Sequence, residues 1–220
     1  MKEYNYISCN DAGCIDFYGP LCVVACYIDP KDIHWLKELN LDHVDLQDVD
    51  QIIKYGQLLK EHLIYSLLIM DNSHYNQMID EGNKMSQIKT ILYNQAMINV
   101  IKRVKKPVDK KIVTPFLTPK KYYKNLKNKT LVVTHLIFSQ DEQHYIGLTC
   151  AKILAQYAHY QYFRNMQQTL QITIPHGCNM SAIQTGIQLV RKHGTKILEK
   201  VSKKNLPNYN QILEHLKASD

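Results

Sequence analysis

The sequence predicts an α/β fold with a mixed sheet and a helical C-terminal part, and three observations carry that expectation. Leu21–Ile28, LCVVACYI, is an unbroken apolar run of small and β-branched residues, as in a strand buried on both faces. Strand-like runs come early in the chain and alternate later with segments of helical period. From Ile146 onward the apolar positions recur at steps of three and four.

The elements follow in order. Tyr4–Cys9 reads as a first strand, joined to Leu21–Ile28 by the turn NDAGCIDFYGP. Asp48–Leu63 reads as a helix with Val49, Ile52, Ile53, Leu59 and Leu63 on one stripe. Ile64–Met70 is a third apolar strand, and Ile88, Ile91, Leu92 and Ala96 mark a second helix. Ile112–Thr114 reads as a short strand stopped by Pro115, because proline cannot donate to a ladder. A basic helical segment around Tyr122–Lys127 precedes an expected strand at Leu131–Phe138. Ile146, Cys150, Ile153 and Tyr157 place a long helix, and the turn Pro175-His176-Gly177 leads to the last helices, with Ile183, Ile187, Val190, Ile197 and Val201 in period. No repeat or linker interrupts the chain, so the expectation is one domain over residues 1–220.

An apolar content of 45% and a charged content of 21% suit a soluble globular protein. No apolar run reaches membrane-spanning length, and the first residues carry no signal pattern, so the expected location is cytoplasmic, with no membrane partner. The six cysteines form no C-x-x-C pair and read as buried thiols of a reducing compartment. The net charge of +7 is concentrated: Lys102–Lys129 holds eleven Lys/Arg against the single acid Asp109, and Arg191–Lys204 is a second basic stretch. Such surfaces suit a phosphate backbone; the plainer reading is a solvated, lysine-rich face.

The acids with a claim to chemistry are Asp11 and Asp16 in the opening turn, and Asp141 and Glu142 before the long helix. Converging carboxylates hold hard cations such as magnesium. Asp141 and Glu142 serve equally as first-turn residues complementing a helix dipole, and Asp16 as a turn cap. His135, His144, His159, His176 and His193 show no tight metal spacing and read as surface or hydrogen-bonded histidines. The G-x-x-x-x-G-K loop and the strand-linked G-x-G-x-x-G of nucleotide enzymes are both missing.

The opening segment NDAGCIDFYGPLCVVACYI resembles the first motif of the type 2 ribonucleases H, and ribonuclease HIII in particular, which reads Asp-Glu-x-Gly-x-Gly-Asp-(Phe/Tyr)-Phe-Gly-Pro. The likeness continues in order through TPKKYYKNLKN, DEQHYIGLTCAKILAQYA and RKHGTKILEKVSKKNLPNYN. It implies a ribonuclease H-like fold, a five-stranded mixed sheet flanked by helices, and cleavage of the RNA strand of RNA–DNA hybrids with magnesium or manganese held by four carboxylates. Those four positions fall on Asn10, Asp11, Thr114 and Glu142, so Asp11 and Glu142 are the retained acids and candidate metal ligands. The turn that brings backbone near the ribose 2′-hydroxyl falls on Gly13, Cys14 and Ile15, with a β-branched residue in place of the second glycine.

A neutral amide at Asn10 and a hydroxyl at Thr114 are poor ligands for a dication, and Asp11 is one methylene shorter than the family's glutamate. The resemblance also implies an N-terminal substrate-binding domain, whereas this chain opens directly on its first strand. The expectation is therefore a ribonuclease HIII-like protein directed at RNA–DNA hybrids or another nucleic acid. It has lost most or all cleavage, is kept as a binding or interaction module, and leaves room for a protein partner. The alternative is an active magnesium- or manganese-dependent endoribonuclease using Asp11 and Glu142, helped by Asp16 or Asp141. A third reading is a structural partner that binds no nucleic acid.

Overall fold

The computed structural model describes residues 4–218. These residues divide into two compact units, 4–12, 22–68 and 85–158 in one, and 13–21, 69–84 and 159–218 in the other.

The first unit is built on a five-stranded sheet of order β3-β2-β1-β4-β5. Its strands are β1 (Tyr6–Ala12), β2 (Leu21–Ile28), β3 (Ile64–Met70), β4 (Lys110–Val113) and β5 (Leu136–Phe138). β1 runs antiparallel to β2 and parallel to β4, and β4 runs parallel to β5, so the sheet is mixed as expected. Every residue of β2 is buried, which is why its sequence shows no polar alternation.

Two strands differ from the sequence expectation. β1 does not stop at Cys9: Asn10, Asp11 and Ala12 continue the ladder opposite Val24, Val23 and Cys22. Strand alternation therefore governs where their side chains go. The run Leu131–Phe138 is strand only over its last three residues. Upstream, the Asn94 amide donates to the Leu131 carbonyl and accepts from the Val133 N–H, taking backbone groups a ladder would otherwise use, and His135 adopts a left-handed φ of 58°.

Helices α1 (Ile33–Glu38), α2 (Val49–His62), α4 (Met85–Arg103), α5 (Pro119–Asn125) and the start of α6 (Ile146–Leu170) complete this unit. Asp48 caps α2 through the N–H groups of Asp50 and Gln51, one residue inside the expected helix start. α6 lies close against the sheet because Gly147 lacks a side chain: a Cβ there would approach Ser8 Oγ to 2.8 Å and Ile28 Cγ1 to 2.7 Å. The core on this face joins Tyr6, Val24, Cys26 and Ile28 to Leu148, Cys150, Ala151 and Ile153.

The second unit holds α3 (Asn72–Asp80), the rest of α6, α7 (Met180–His193), α8 (Lys196–Val201) and α9 (Pro207–Lys217). Its core gathers Phe17, Tyr18 and Phe163 with Ala182, Leu189, Leu198, Val201 and Ile212. The cysteine expectation holds for Cys9, Cys22, Cys26 and Cys150, which are buried; Cys14 is half-buried and Cys178 exposed. Among the described residues no helix is long and apolar enough to cross a membrane.

Candidate active site

All four expected positions lie at or just beyond the carboxyl ends of the parallel strands, where open α/β sheets commonly place their sites. Asn10 and Asp11 lie near the end of β1, Thr114 immediately follows β4, and Glu142 lies in the turn after β5. The Thr114 N–H donates to the Cys9 carbonyl at 3.2 Å, which registers it beside Asn10.

Successive residues of a strand face opposite ways, and the hydrogen bonds of Asn10 and Asp11 show it. Asn10 points toward α6: its Nδ2 donates to the Leu148 carbonyl at 3.2 Å, while its Oδ1 accepts from the Asp11 N–H at 3.0 Å. Asp11 points toward α4. Its Oδ1 accepts from the Tyr93 hydroxyl at 2.5 Å and from Lys89 Nζ at 2.7 Å. The Asp11 and Lys89 side chains are only 6% and 11% exposed. Lys89 Nζ also lies 4.3 Å from the centroid of the Phe116 ring, an aromatic face that supports a cation.

Glu142 belongs with the α6 group. Its Oε2 accepts from Thr149 Oγ1 at 3.1 Å and its Oε1 lies 3.3 Å from Lys152 Nζ. Thr149 follows Leu148, so Asn10 and Glu142 are tied to consecutive residues of one helix turn while Asp11 is tied to α4. Glu142 and Asp141 precede α6 and are not in its first turn; Asp141 instead caps the local turn by accepting from the His144 N–H at 2.9 Å. The helix-dipole reading of this pair is thus corrected to a turn cap for Asp141 and side-chain contacts with α6 for Glu142.

The remaining expected residues lie in the second unit. Gly13 has φ +82°, and a Cβ there would come 2.3 Å from the Pro20 carbonyl oxygen and 2.5 Å from the His159 ring, so only glycine fits. Cys14 is half-buried, and the Ile15 side chain is 76% exposed. Asp16 accepts from the Gly177 N–H at 2.7 Å, so it serves the backbone of a distant turn and not that of its own. It also meets two histidines: His159 Nε2 at 3.7 Å and His176 Nδ1 at 3.6 Å. Among the described residues this trio is where three His/Cys/Asp/Glu ligand atoms come within 4.8 Å of one another. Residues 16, 159 and 176 share no local spacing, so no sequence motif marks them. His159 is wholly buried and neither ring nitrogen has a hydrogen-bond partner, which corrects its reading as a surface or hydrogen-bonded histidine.

A family model described as Ribonuclease HII matches residues 9–208. The chain belongs to the ribonuclease HII family. Ribonuclease HIII of Bacillus cereus is 29% identical over 216 residues, spanning 96% of this chain and 69% of the relative. Ribonuclease HIII of Bacillus licheniformis is 30% identical over 211 residues, spanning 94% and 67%. Among solved structures, Bst-RNase HIII in complex with Mn2+ superposes with a TM-score of 0.92 at 18% identity, covering 99% of this chain and 72% of that one. Ribonuclease H2 from Pyrococcus horikoshii OT3 gives 0.76 at 16% identity, covering 97% and 99%. At such identities the likeness is one of fold, and the expected ribonuclease H-like architecture is the one observed.

Proposed function

We propose that this member of the ribonuclease HII family is directed at RNA–DNA hybrids, with cleavage lost or strongly impaired, and acts as a nucleic-acid-binding module. One observation carries the reading: the Asp11 carboxylate is already engaged by the buried Lys89 ammonium and the Tyr93 hydroxyl. A lysine at 2.7 Å supplies the positive charge that a metal ion would otherwise supply to this carboxylate.

The residues at the expected positions do not fit a two-ion carboxylate site. Asn10 brings no charge and spends its amide on Leu148 and Asp11. Thr114 offers a hydroxyl, and the Glu142 carboxylate is shared by Thr149 and Lys152. The shortened Asp11 side chain follows the strand to the α4 side, and a group acting in concert loses most of its rate when one member leaves.

Binding is supported by the basic segment. Lys120, Lys121 and Lys124 project from α5, whose start is set by the Thr118 cap and Pro119, and all three are exposed. Lys102, Lys105, Lys127 and Lys129 are exposed as well. Not every cation is available for phosphate: Lys106 is paired with Asp29 at 2.5 Å.

One observation favours the alternative, an active magnesium- or manganese-dependent endoribonuclease: Glu142 keeps a carboxylate that is 35% exposed and reachable from solvent. Purified protein with an RNA–DNA hybrid and either metal separates the two. Binding with a steep salt dependence and no turnover is expected. Turnover abolished by Asp11→Ala and Glu142→Ala would establish the alternative, and no binding at low salt would leave a structural partner.

A further inference from the structure

We propose that Asp16, His159 and His176 form a binding site for one divalent transition-metal ion of the zinc class, separate from the family's carboxylate positions. The separations decide between two kinds of contact. At 3.7 and 3.6 Å, His159 Nε2 and His176 Nδ1 are too far from the Asp16 oxygens for good hydrogen bonds. Each is close to the roughly 3.3–3.4 Å ligand–ligand edge of a tetrahedron whose metal bonds are about 2.0–2.1 Å, with His159 Nε2 facing Oδ2 and His176 Nδ1 facing Oδ1. All three ligand atoms fall within 4.8 Å of one another, so a small inward movement closes them on one ion.

The second observation is independent of that geometry. His159 has 0% exposure, and neither Nδ1 nor Nε2 makes a hydrogen bond. A buried imidazole without partners is costly, and coordination of Nε2 removes part of that cost. The ring is held by packing: its Nε2 edge lies against Gly13 and Gly19, and its centroid is 5.6 Å from that of Phe163. His176 is fixed from another side by stacking on Phe163, with centroids 4.3 Å apart and planes 13° from parallel. The His159 and His176 rings are 6.2 Å apart, so neither blocks the other.

Two imidazoles among three ligands select zinc, cobalt and their neighbours over magnesium or calcium, which take oxygen.

Charge sets a limit on affinity. The buried Lys203 ammonium donates to the Asp16 carbonyl at 2.9 Å and the Gly19 carbonyl at 2.6 Å, and its charge opposes a dication. The site should therefore bind more weakly than the same ligands without a neighbouring cation. His176 is half exposed, which leaves a solvent side for water as the fourth ligand. Cys178 Sγ donates to the Ile15 carbonyl at 3.1 Å and is not counted among the ligands.

The test is titration of the chelator-treated full chain with zinc, followed by calorimetry, and with cobalt, followed by visible absorption. One equivalent is expected, with cobalt bands of a low-symmetry site and zinc raising the melting temperature. His176→Ala removes a half-exposed side chain stacked on Phe163, so its metal-free melt is measured alongside and affinities are compared on folded protein. Its zinc affinity should fall by more than the roughly 10–100-fold typical of losing an outer-shell partner. Asp16→Asn should weaken binding similarly, while His144→Ala and Cys178→Ser should leave it unchanged. No saturable zinc binding, equal affinity in His176→Ala, magnesium binding as tight as zinc, or loss only in Cys178→Ser overturns the proposal.

Discussion

Replacing Asp11 by alanine distinguishes a metal site from an internal ion pair by the sign of its effect on stability. Carboxylates gathered for a metal repel one another in the absence of the ion, so removing one from such a site is neutral or stabilising. Here the acid is the partner of Lys89 at 2.7 Å and of the Tyr93 hydroxyl at 2.5 Å, with both charged side chains nearly excluded from water. Asp11→Ala leaves the ammonium buried without its counter-charge, a loss of about 3–5 kcal/mol for a broken buried pair. For a chain of this length that is roughly 6–20 °C of melting temperature, at about 2–4 °C per kcal/mol. Lys89→Met should cost a similar amount, because it strands the carboxylate instead. The double variant Asp11→Ala, Lys89→Met removes both charges together, so most of the loss should return, giving a coupling energy of about 2 kcal/mol or more in a double-mutant cycle. Thermal melts and urea unfolding of the four proteins, all treated with chelator, supply the cycle. An Asp11→Ala protein as stable as wild type, or single-variant losses that merely add, refutes the pairing argument and with it the main support for lost cleavage.

Three further outcomes follow from the same geometry. The double variant Asn10→Asp, Thr114→Asp should not restore hybrid cleavage in a gel assay, because Lys89 still holds Asp11; Asn10→Asp should also cost about 1–3 kcal/mol by setting a carboxylate against the Leu148 carbonyl. In metal-free protein, stability should fall as pH drops from about 6.5 to about 4, since the unfolded chain protonates its histidine first while burial keeps folded His159 neutral. That loss is on the order of 3 kcal/mol, and His159→Phe should flatten the curve in this window, as urea melts would read. Asp16, held at about 2, adds a separate loss between about pH 4 and 2 as its ordinary carboxylate range is passed. Lys120→Ala, Lys121→Ala and Lys124→Ala should each weaken hybrid binding and lower the salt slope by about one per phosphate contact removed, measured by fluorescence anisotropy across salt.

The parts of the fold that were legible in the sequence are those where burial speaks through periodicity. β2 is buried at every residue and its sequence is apolar at every residue. The stripes of α2 and α6 fell where the spacing placed them, and β3 matches its apolar run although Ser66 is its only buried residue. Helix α3, DNSHYNQMID with its Asp71 cap, carries no apolar stripe to read. Its buried face joins Tyr75 to two asparagines whose amides serve distant backbone, Asn72 bonding Gly19 and Asn76 bonding Glu199 and Ser202. The short β5 was overread for a related reason: the apolar letters of Leu131–Val133 are real, but the Asn94 side chain takes their backbone groups. At the candidate site the four positions could be identified by resemblance, yet Lys89 gave no sign of its role, because only the packing of α4 on β1 brings it to Asp11. The histidine pair around Asp16 is further still from legibility, since its members are far apart in sequence and meet only in the folded second unit.

The substitutions at the carboxylate positions form one consistent electrostatic set. Four acids gathered without their ions would be a self-repelling cluster in a partly buried place, and each would raise the cost of the others. Two of the positions are neutral here, and their groups are hydrogen-bonded: Asn10 to Leu148 and Asp11, and Thr114 through its N–H to Cys9. A third acid is neutralised by a buried lysine, and the fourth lies near solvent beside Lys152. No pair of unscreened acids remains to require a dication. If cleavage is lost as proposed, its recovery requires undoing the set together, since a carboxylate returned at Asn10 alone meets a carbonyl on one side and an Asp11 already held by Lys89 on the other. A chain in which Asn10→Asp, Thr114→Asp and Lys89→Ala are combined with Asp11→Glu should therefore do what no smaller combination does. It should bind manganese measurably in a calorimeter, while losing stability relative to wild type in its absence. If Asn10→Asp alone acquires that affinity, the lysine pairing is not what keeps a dication from these positions.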